Sequence, residues 1–252
     1  MKIKINDIEL YYEMHGEGEP IIFSHGCMSD CSVWNSQIEF FSKKYKVITY
    51  DQRGHGISDK PKADYSIETL SNDLYSLIQE LNLDKVIVVG HSMGGMAALT
   101  FTLNHPDKVS KLVLVGTSAK TTFSGRILFW NMLHIFSYES FVRGMIDFQY
   151  YEPSEQVKEK ALERAMKTPK FAAYECFTEF MQNYDIRDRI YEIKVPTLII
   201  VGEKDTATPV EMSQDLNRGI KGSKLQIIPD CNHMVMIDKP KELNRIIEDF
   251  IQ

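Results

Sequence analysis

The residues best placed to do chemistry lie in Gly90-His91-Ser92-Met93-Gly94. Val86-Ile87-Val88-Val89 precedes them and reads as a fully buried strand, and Gly95-Met96-Ala97-Ala98-Leu99 follows as the start of a helix rich in small residues. A G-x-S-x-G turn between strand and helix is too tight for side chains on its flanks. Glycines at 90 and 94 relieve it, and Ser92 is pushed to the exposed apex. The helix that starts there aims backbone N–H groups at the same point, where they can stabilise an oxyanion. Two nucleotide-binding patterns fail on spacing: G-x-G-x-x-G requires glycine at 92, and a P-loop requires Gly-Lys before the helix. A serine that merely caps a helix is the plainer reading of the pentapeptide alone.

Partners elsewhere in the chain favour catalysis. A serine hydroxyl is a weak nucleophile at neutral pH and needs an adjacent base, itself oriented by a carboxylate. With the nucleophile on a strand-to-helix turn, acid and then histidine are expected on loops after later strands. Of the seven histidines, His233 lies in such a loop, after the strand expected at 224–228. Asp205 stands three residues past Gly202, where the strand of 195–201 ends. Glu203 and Asp230 are its rivals and read as solvated charges; Asp205 opens the loop beside that of His233. His25 reads as a hydrogen-bonded structural residue.

The elements that must carry these residues follow from periodicity. Residues 2–5 and 8–15 alternate like two strands joined by Asn6-Asp7, and Pro20 to Ser24 is a buried strand running into His25-Gly26-Cys27. Val33 to Phe41 reads as a helix, 46–50 as a strand, Ile67 to Leu81 as an amphipathic helix, and 111–116 as another buried strand. Alternation resumes with strand 195–202, a helix near 209–219, strand 224–228 and a helix over 240–251. This is an α/β pattern: a mainly parallel, eight-stranded sheet with helices on both faces. Residues 119–185 interrupt it with several helices, broken at Pro153 and Pro169. The division is a core of 1–118 and 186–252 with an inserted helical cap at 119–185.

Composition sets outer limits. The 252-residue chain is 43% hydrophobic and 25% charged, enough for a large core. A net charge of −6 without long single-sign runs argues against nucleic acid or an anionic membrane as partner. No apolar run reaches spanning length, and the amino terminus alternates like a strand rather than a leader, so a cytoplasmic location is expected. Cysteines 27, 31, 176 and 231 form no C-x-x-C and no zinc-like spacing, so neither a metal nor a disulfide framework is expected.

Taken together, His25-Gly26, Tyr50-Asp51-Gln52-Arg53-Gly54-His55-Gly56-Ile57-Ser58, Gly90 to Gly95, Gly202-Glu203-Lys204-Asp205 and His233 resemble the α/β-hydrolase fold superfamily. The likeness is to its small cofactor-free esterases, lactonases and haloperoxidase-like perhydrolases, and it covers nearly the whole chain outside the cap. The resemblance implies Ser92, Asp205 and His233 as catalytic residues, and the backbone N–H groups of Cys27 and Met93 as the oxyanion hole. It implies no cofactor, and a small apolar carboxylic ester or lactone as substrate. It also implies that Asp51 to Ser58, including His55, is a structural turn. Serine at 92 departs from the aspartate nucleophile of epoxide hydrolases and haloalkane dehalogenases. Met234 stands where meta-cleavage hydrolases carry tryptophan, and Asn232 replaces the usual glycine, asparagine being tolerant of a left-handed backbone. Signalling proteins of the same fold, which bind or slowly cleave a ligand, are the alternative. The cap holds over half of the chain's aromatic residues in about a quarter of its length. Phe123, Phe129, Trp130 and Phe136 are therefore expected to wall the substrate cavity.

Overall fold

The computed structural model describes residues 1–121 and 136–252, without the side chains of 180–183. Its strands are β1 (Lys2–Ile5), β2 (Ile8–His15), β3 (Pro20–Ser24), β4 (Lys46–Tyr50), β5 (Val86–His91), β6 (Val109–Val115), β7 (Thr197–Gly202) and β8 (Lys224–Ile228). They form one eight-stranded sheet in the order β1-β2-β4-β3-β5-β6-β7-β8. β1, β2 and β4 pair antiparallel, and every other pairing is parallel. Order and direction agree with the mainly parallel sheet expected from the alternation. The helices are α1 (Asn35–Phe41), α2 (Ile67–Glu80), α3 (Met93–Asn104), α4 (Tyr138–Gln149), α5 (Glu155–Met166), α6 (Lys170–Asn183), α7 (Val210–Gly219), α8 (Val235–Asp238) and α9 (Pro240–Ile251). None of the described helices is long and apolar enough to cross a membrane.

Successive side chains on a strand point to opposite faces, and the core divides accordingly. Ile21, Phe23, Val47, Ile87, Val89, Val113 and Val115 face a layer containing Trp34 and Phe41 at α1, and Leu243 and Ile247 of α9. Ile22, Ile48, Val86, Val88, Leu112 and Leu114 face Leu74 and Leu77 of α2, Leu99 and Phe101 of α3, and Leu216 of α7. β5 sits in mid-sheet with all six residues buried, which explains why its apolar run does not alternate. β8 is an edge strand, and only Ile228 in it is buried.

The expected helix over Val33–Phe41 divides in two. A 3₁₀ turn at Cys31–Trp34 precedes α1, set by Asp30, whose carboxylate accepts from the Ser32 N–H at 3.0 Å. Such tightened turns at helix starts satisfy N–H groups that have no intrahelical acceptor. Beyond β6, Lys120 and Asp185 form an isolated antiparallel bridge where the chain leaves and rejoins the sheet layer. Ser154 caps α5 just after Pro153, and Pro169 caps α6, so both prolines mark helix starts. Lys167, between α5 and α6, reaches back to the buried Asp30 at 2.6 Å.

The Asp51–Ser58 turn scaffolds the loop after β3. Asp51 accepts from the Cys31 and Ile57 N–H groups, each at 2.8 Å, and Gln52 donates from its backbone to His25 Nε2 at 3.0 Å. Arg53 is 1% exposed and donates to Asp73 at 2.5 and 2.8 Å and to Asp7 at 2.9 Å. Removing one partner of a buried pair strands the other's charge, so Asp73→Ala should lower unfolding free energy by about 3–5 kcal/mol. Asp7 sits at the solvent end of the network, its side chain 60% exposed, and Asp7→Ala should cost under about 1 kcal/mol. Urea denaturation of both variants checks this; equal losses would show that Arg53 is not held by a buried charge.

Candidate active site

Ser92 occupies the sharp turn from β5 to α3 with φ 52° and ψ −121°, a left-handed backbone rare for a residue with a Cβ. The close crossing of β5 and α3 requires it. A Cβ on Gly90 would come 2.5 Å from the Gly94 carbonyl oxygen, and one on Gly94 would strike the His25 carbonyl. Hydrogen bonds hold the turn: Ser92 N–H donates to Val115 O at 3.0 Å, and Thr117 Oγ1 donates to Ser92 O at 2.8 Å. Met93 is the first residue of α3, so its N–H lacks an intrahelical acceptor. Cys27 follows Gly26 in the loop after β3, and like Ser92 it lines a cavity of about 540 Å³.

His233 is 2% exposed and lines the same cavity. Its Nδ1 lies 2.9 Å from Asp205 Oδ2 and 3.1 Å from Oδ1. Asp205 also accepts from Thr208 Oγ1 at 2.9 Å and from the Ala207 and Thr208 N–H groups at 2.9 and 2.7 Å. Those donors fix the carboxylate, and the carboxylate fixes the ring: Nδ1–H faces Asp205 and the Nε2 lone pair is left free. Of the rival acids, Glu203 pairs with Lys204 in solvent at 3.3 Å, and Asp230 accepts from the Tyr151 hydroxyl at 3.4 Å. Neither touches the imidazole.

Residues not singled out from sequence position the histidine. His91, buried beside Ser92, donates from Nε2 to the His233 carbonyl at 3.1 Å, with ring centroids 4.6 Å apart. Burial and the neighbouring His233 ring hold it well below the ordinary imidazole range, so it stays neutral. Gln149 O, at the end of α4, accepts from His233 N–H at 3.0 Å. Asn232 is not left-handed; the positive φ in this loop is at Asp230. Asparagine serves here through hydrogen bonds instead. Its Oδ1 accepts from the His233 and Thr206 N–H groups at 2.8 and 3.1 Å, and its Nδ2 donates to Phe148 O at 3.0 Å.

The cavity wall opposite Ser92 comes largely from α4 and α5, with Phe141, Val142, Met145, Ile146, Ala161 and Ala165 among its residues. Of the expected aromatic wall, Phe123, Phe129 and Trp130 lie outside the described residues. Phe136 is 51% exposed and is not among the cavity residues: it precedes Ser137, the cap of α4, and so is not carried on the helix's inward face. The usable signal was the period of α4 itself, which puts Phe141 with Met145 and Val142 with Ile146 on one face. The wall also carries Arg164, which donates to the Tyr150 hydroxyl at 3.3 Å. No Asp or Glu lines the cavity among the described residues.

Behind Cys27 lie two further groups, His55 and Cys176, both fully buried. Burial opposes ionisation of Cys27, but the Cys176 thiol and the His55 ring beside it favour the thiolate and bring it down to about 6. Burial, with the influence of Cys27, pushes Cys176 well up.

Comparison with known proteins agrees with the fold. A model described as alpha/beta hydrolase fold matches residues 19–139 and 155–240. The chain is 27% identical to a protein of Acinetobacter baylyi named 3-oxoadipate enol-lactonase 2, over 96% of this chain and 92% of that one. The enol-lactonase from Burkholderia xenovorans superposes with a TM-score of 0.93 at 25% identity, covering 100% of this chain and 99% of that one. The esterase EaEST from Exiguobacterium antarcticum does so with a TM-score of 0.93 at 26% identity, covering 99% and 98%.

One acid in the histidine loop gives a pH test. Asp238 accepts from the Asn232 and Tyr151 N–H groups at 3.1 and 3.2 Å, yet burial pushes it up to about 6. An unfolded aspartate titrates near about 3.9, so between those values the folded chain holds the proton more tightly. The stabilisation is present below about pH 4 and is lost as pH rises through about 6. Asp238→Asn keeps an acceptor and removes the charge. Its unfolding free energy should gain on wild type as pH rises from 4 to 7, by up to about 2–3 kcal/mol for about two pKa units, read by urea denaturation at each pH. Parallel profiles would contradict the assignment.

Proposed function

This chain belongs to the alpha/beta hydrolase fold family, and from that premise we propose that it is a serine hydrolase of carboxylic esters or lactones. Ser92 Oγ attacks the carbonyl carbon while His233 Nε2 takes its proton, and Asp205 holds the imidazole in the required tautomer and stabilises the imidazolium. The N–H groups of Cys27 and Met93 bind the developing oxyanion. His233 returns the proton to the leaving alkoxide, or to the ring-opened oxygen of a lactone. Water then enters, activated by the same nitrogen, and releases the acid from the acyl-enzyme. The observation that carries this reading is that His233, paired with Asp205 at 2.9 Å, lines the same cavity as Ser92. The names of the relatives, enol-lactonase and esterase, support a hydrolase. The insertion at 119–185 acts as a cap whose helices α4 and α5 wall the acyl group.

Arg164 sets the sign of charge that the wall accepts. With one arginine and no carboxylate among the described lining residues, an acyl chain ending in a carboxylate is admitted and one ending in an ammonium is refused.

Purified protein should turn over p-nitrophenyl butyrate repeatedly, and Ser92→Ala should lose at least about 10³-fold in kcat. A single burst without turnover, or undiminished rate in Ser92→Ala, would overturn the reading. With aryl half-esters of succinate and their ammonium isosteres, kcat/KM should favour the anion at least tenfold, roughly 1.4 kcal/mol. Arg164→Met should erase that ratio while sparing butyrate; a ratio unchanged in Arg164→Met would remove Arg164 from specificity.

A further inference from the structure

Three chemistry-bearing side chains outside the proposed catalytic residues meet at one point. Cys27 comes from the loop after β3, His55 from the turn after β4, and Cys176 from α6, and their Sγ, ring-nitrogen and Sγ atoms lie within 4.8 Å of one another. Sequence spacing pointed at Cys27 with Cys31, but Cys31 is turned toward Glu13, 3.9 Å away. No near neighbour in sequence links the three that converge.

We propose that Cys27, His55 and Cys176 form a binding site for a divalent zinc ion. The donor set suits it, because two thiolates and one imidazole are borderline-to-soft ligands that bind zinc with a fourth position left open. The spacing suits it as well. Bonds of about 2.3 Å to sulfur and about 2.0 Å to nitrogen at tetrahedral angles place the donors about 3.5–3.8 Å apart, inside the 4.8 Å that bounds their separations here.

The histidine is already prepared. Its Nδ1 donates to the Arg53 carbonyl at 2.9 Å, which leaves the lone pair on Nε2, buried beside the Cys27 thiol without a hydrogen bond of regular geometry. A carbonyl holding the far nitrogen is the usual support of a metal-bound imidazole. An acceptor so placed at 0% exposure is otherwise costly. Charge decides between ions. Two thiolates with a neutral imidazole carry −2, which a divalent cation neutralises in a region where an unbalanced charge is heavily penalised, whereas a monovalent copper ion leaves one negative charge buried. His55 and Cys176 are closed off, and Cys27 alone of the three lines the cavity. The ion enters past Cys27, and the cavity supplies the fourth ligand as water. Bound zinc joins α6 to the loop after β3 and the turn after β4, so it links the inserted helices to the core.

The test is zinc titration of the full chain, stripped of metal by chelator and kept reduced by a phosphine. We expect one zinc per chain with an apparent Kd at or below about 1 μM, a rise in melting temperature with added zinc, and with cobalt(II) a thiolate-to-metal charge-transfer band. Cys176→Ser and Cys27→Ser should each weaken zinc binding by about 100-fold, at least as much as a change in a ligand's support costs. Cys31→Ser and Cys231→Ser should bind like wild type. If His55→Ala or a cysteine variant fails to fold, the wild-type stoichiometry and cobalt band still decide. Absence of a one-to-one site in wild type, absence of the thiolate band, or unchanged binding in the Cys27→Ser, Cys176→Ser double variant would each overturn the proposal.

Discussion

The whole arrangement depends on how closely α3 crosses β5. That crossing forces Ser92 into a left-handed backbone, at a cost of order 1–3 kcal/mol. It is tolerated only because Gly90, Gly94 and Gly95 present no Cβ to the facing backbone and to Thr117. The same proximity brings the first turn of α3 beside the loop after β3. The proposed nucleophile and oxyanion donors therefore share one backbone constraint, and a side chain at either flanking glycine would separate them.

A second constraint runs through the histidine loop. His233 is held at its ring by Asp205, at its backbone carbonyl by His91, and at its backbone N–H by Gln149 at the end of α4. Asn232 adds a bond from the same loop to Phe148. The proposed base is thus positioned jointly by core strands and by the helices between β6 and β7, which couples the cavity wall to the imidazole. A shift of α4 would change the cavity wall and the ring orientation together.

Much of the fold was legible because its signals are local. Branched runs over 86–89 and 112–115, and the apolar period over 67–81, each specify one element whatever its neighbours do. The G-x-S-x-G turn was legible for a similar reason, since steric demand is encoded within five residues. Other features depended on tertiary contact and left no local trace. Phe136 was grouped with the cavity because aromatic content says nothing of which side of a helix start a residue occupies. Asn232 was read as a backbone accommodation, whereas its side-chain amide is what the loop uses. Arg164 and the meeting of Cys27 with His55 and Cys176 follow from how the helices after β6 fold back over the loops after β3 and β4, which periodicity does not carry.

The central claim is that Ser92 is a nucleophile activated by His233, and covalent labelling with a neutral fluorophosphonate tests it most directly. Intact-mass and peptide analysis should find one phosphonyl adduct per chain, on Ser92, absent in Ser92→Ala and formed at least about 10³-fold more slowly in His233→Ala. Labelling at another residue, or at an equal rate without His233, would contradict it.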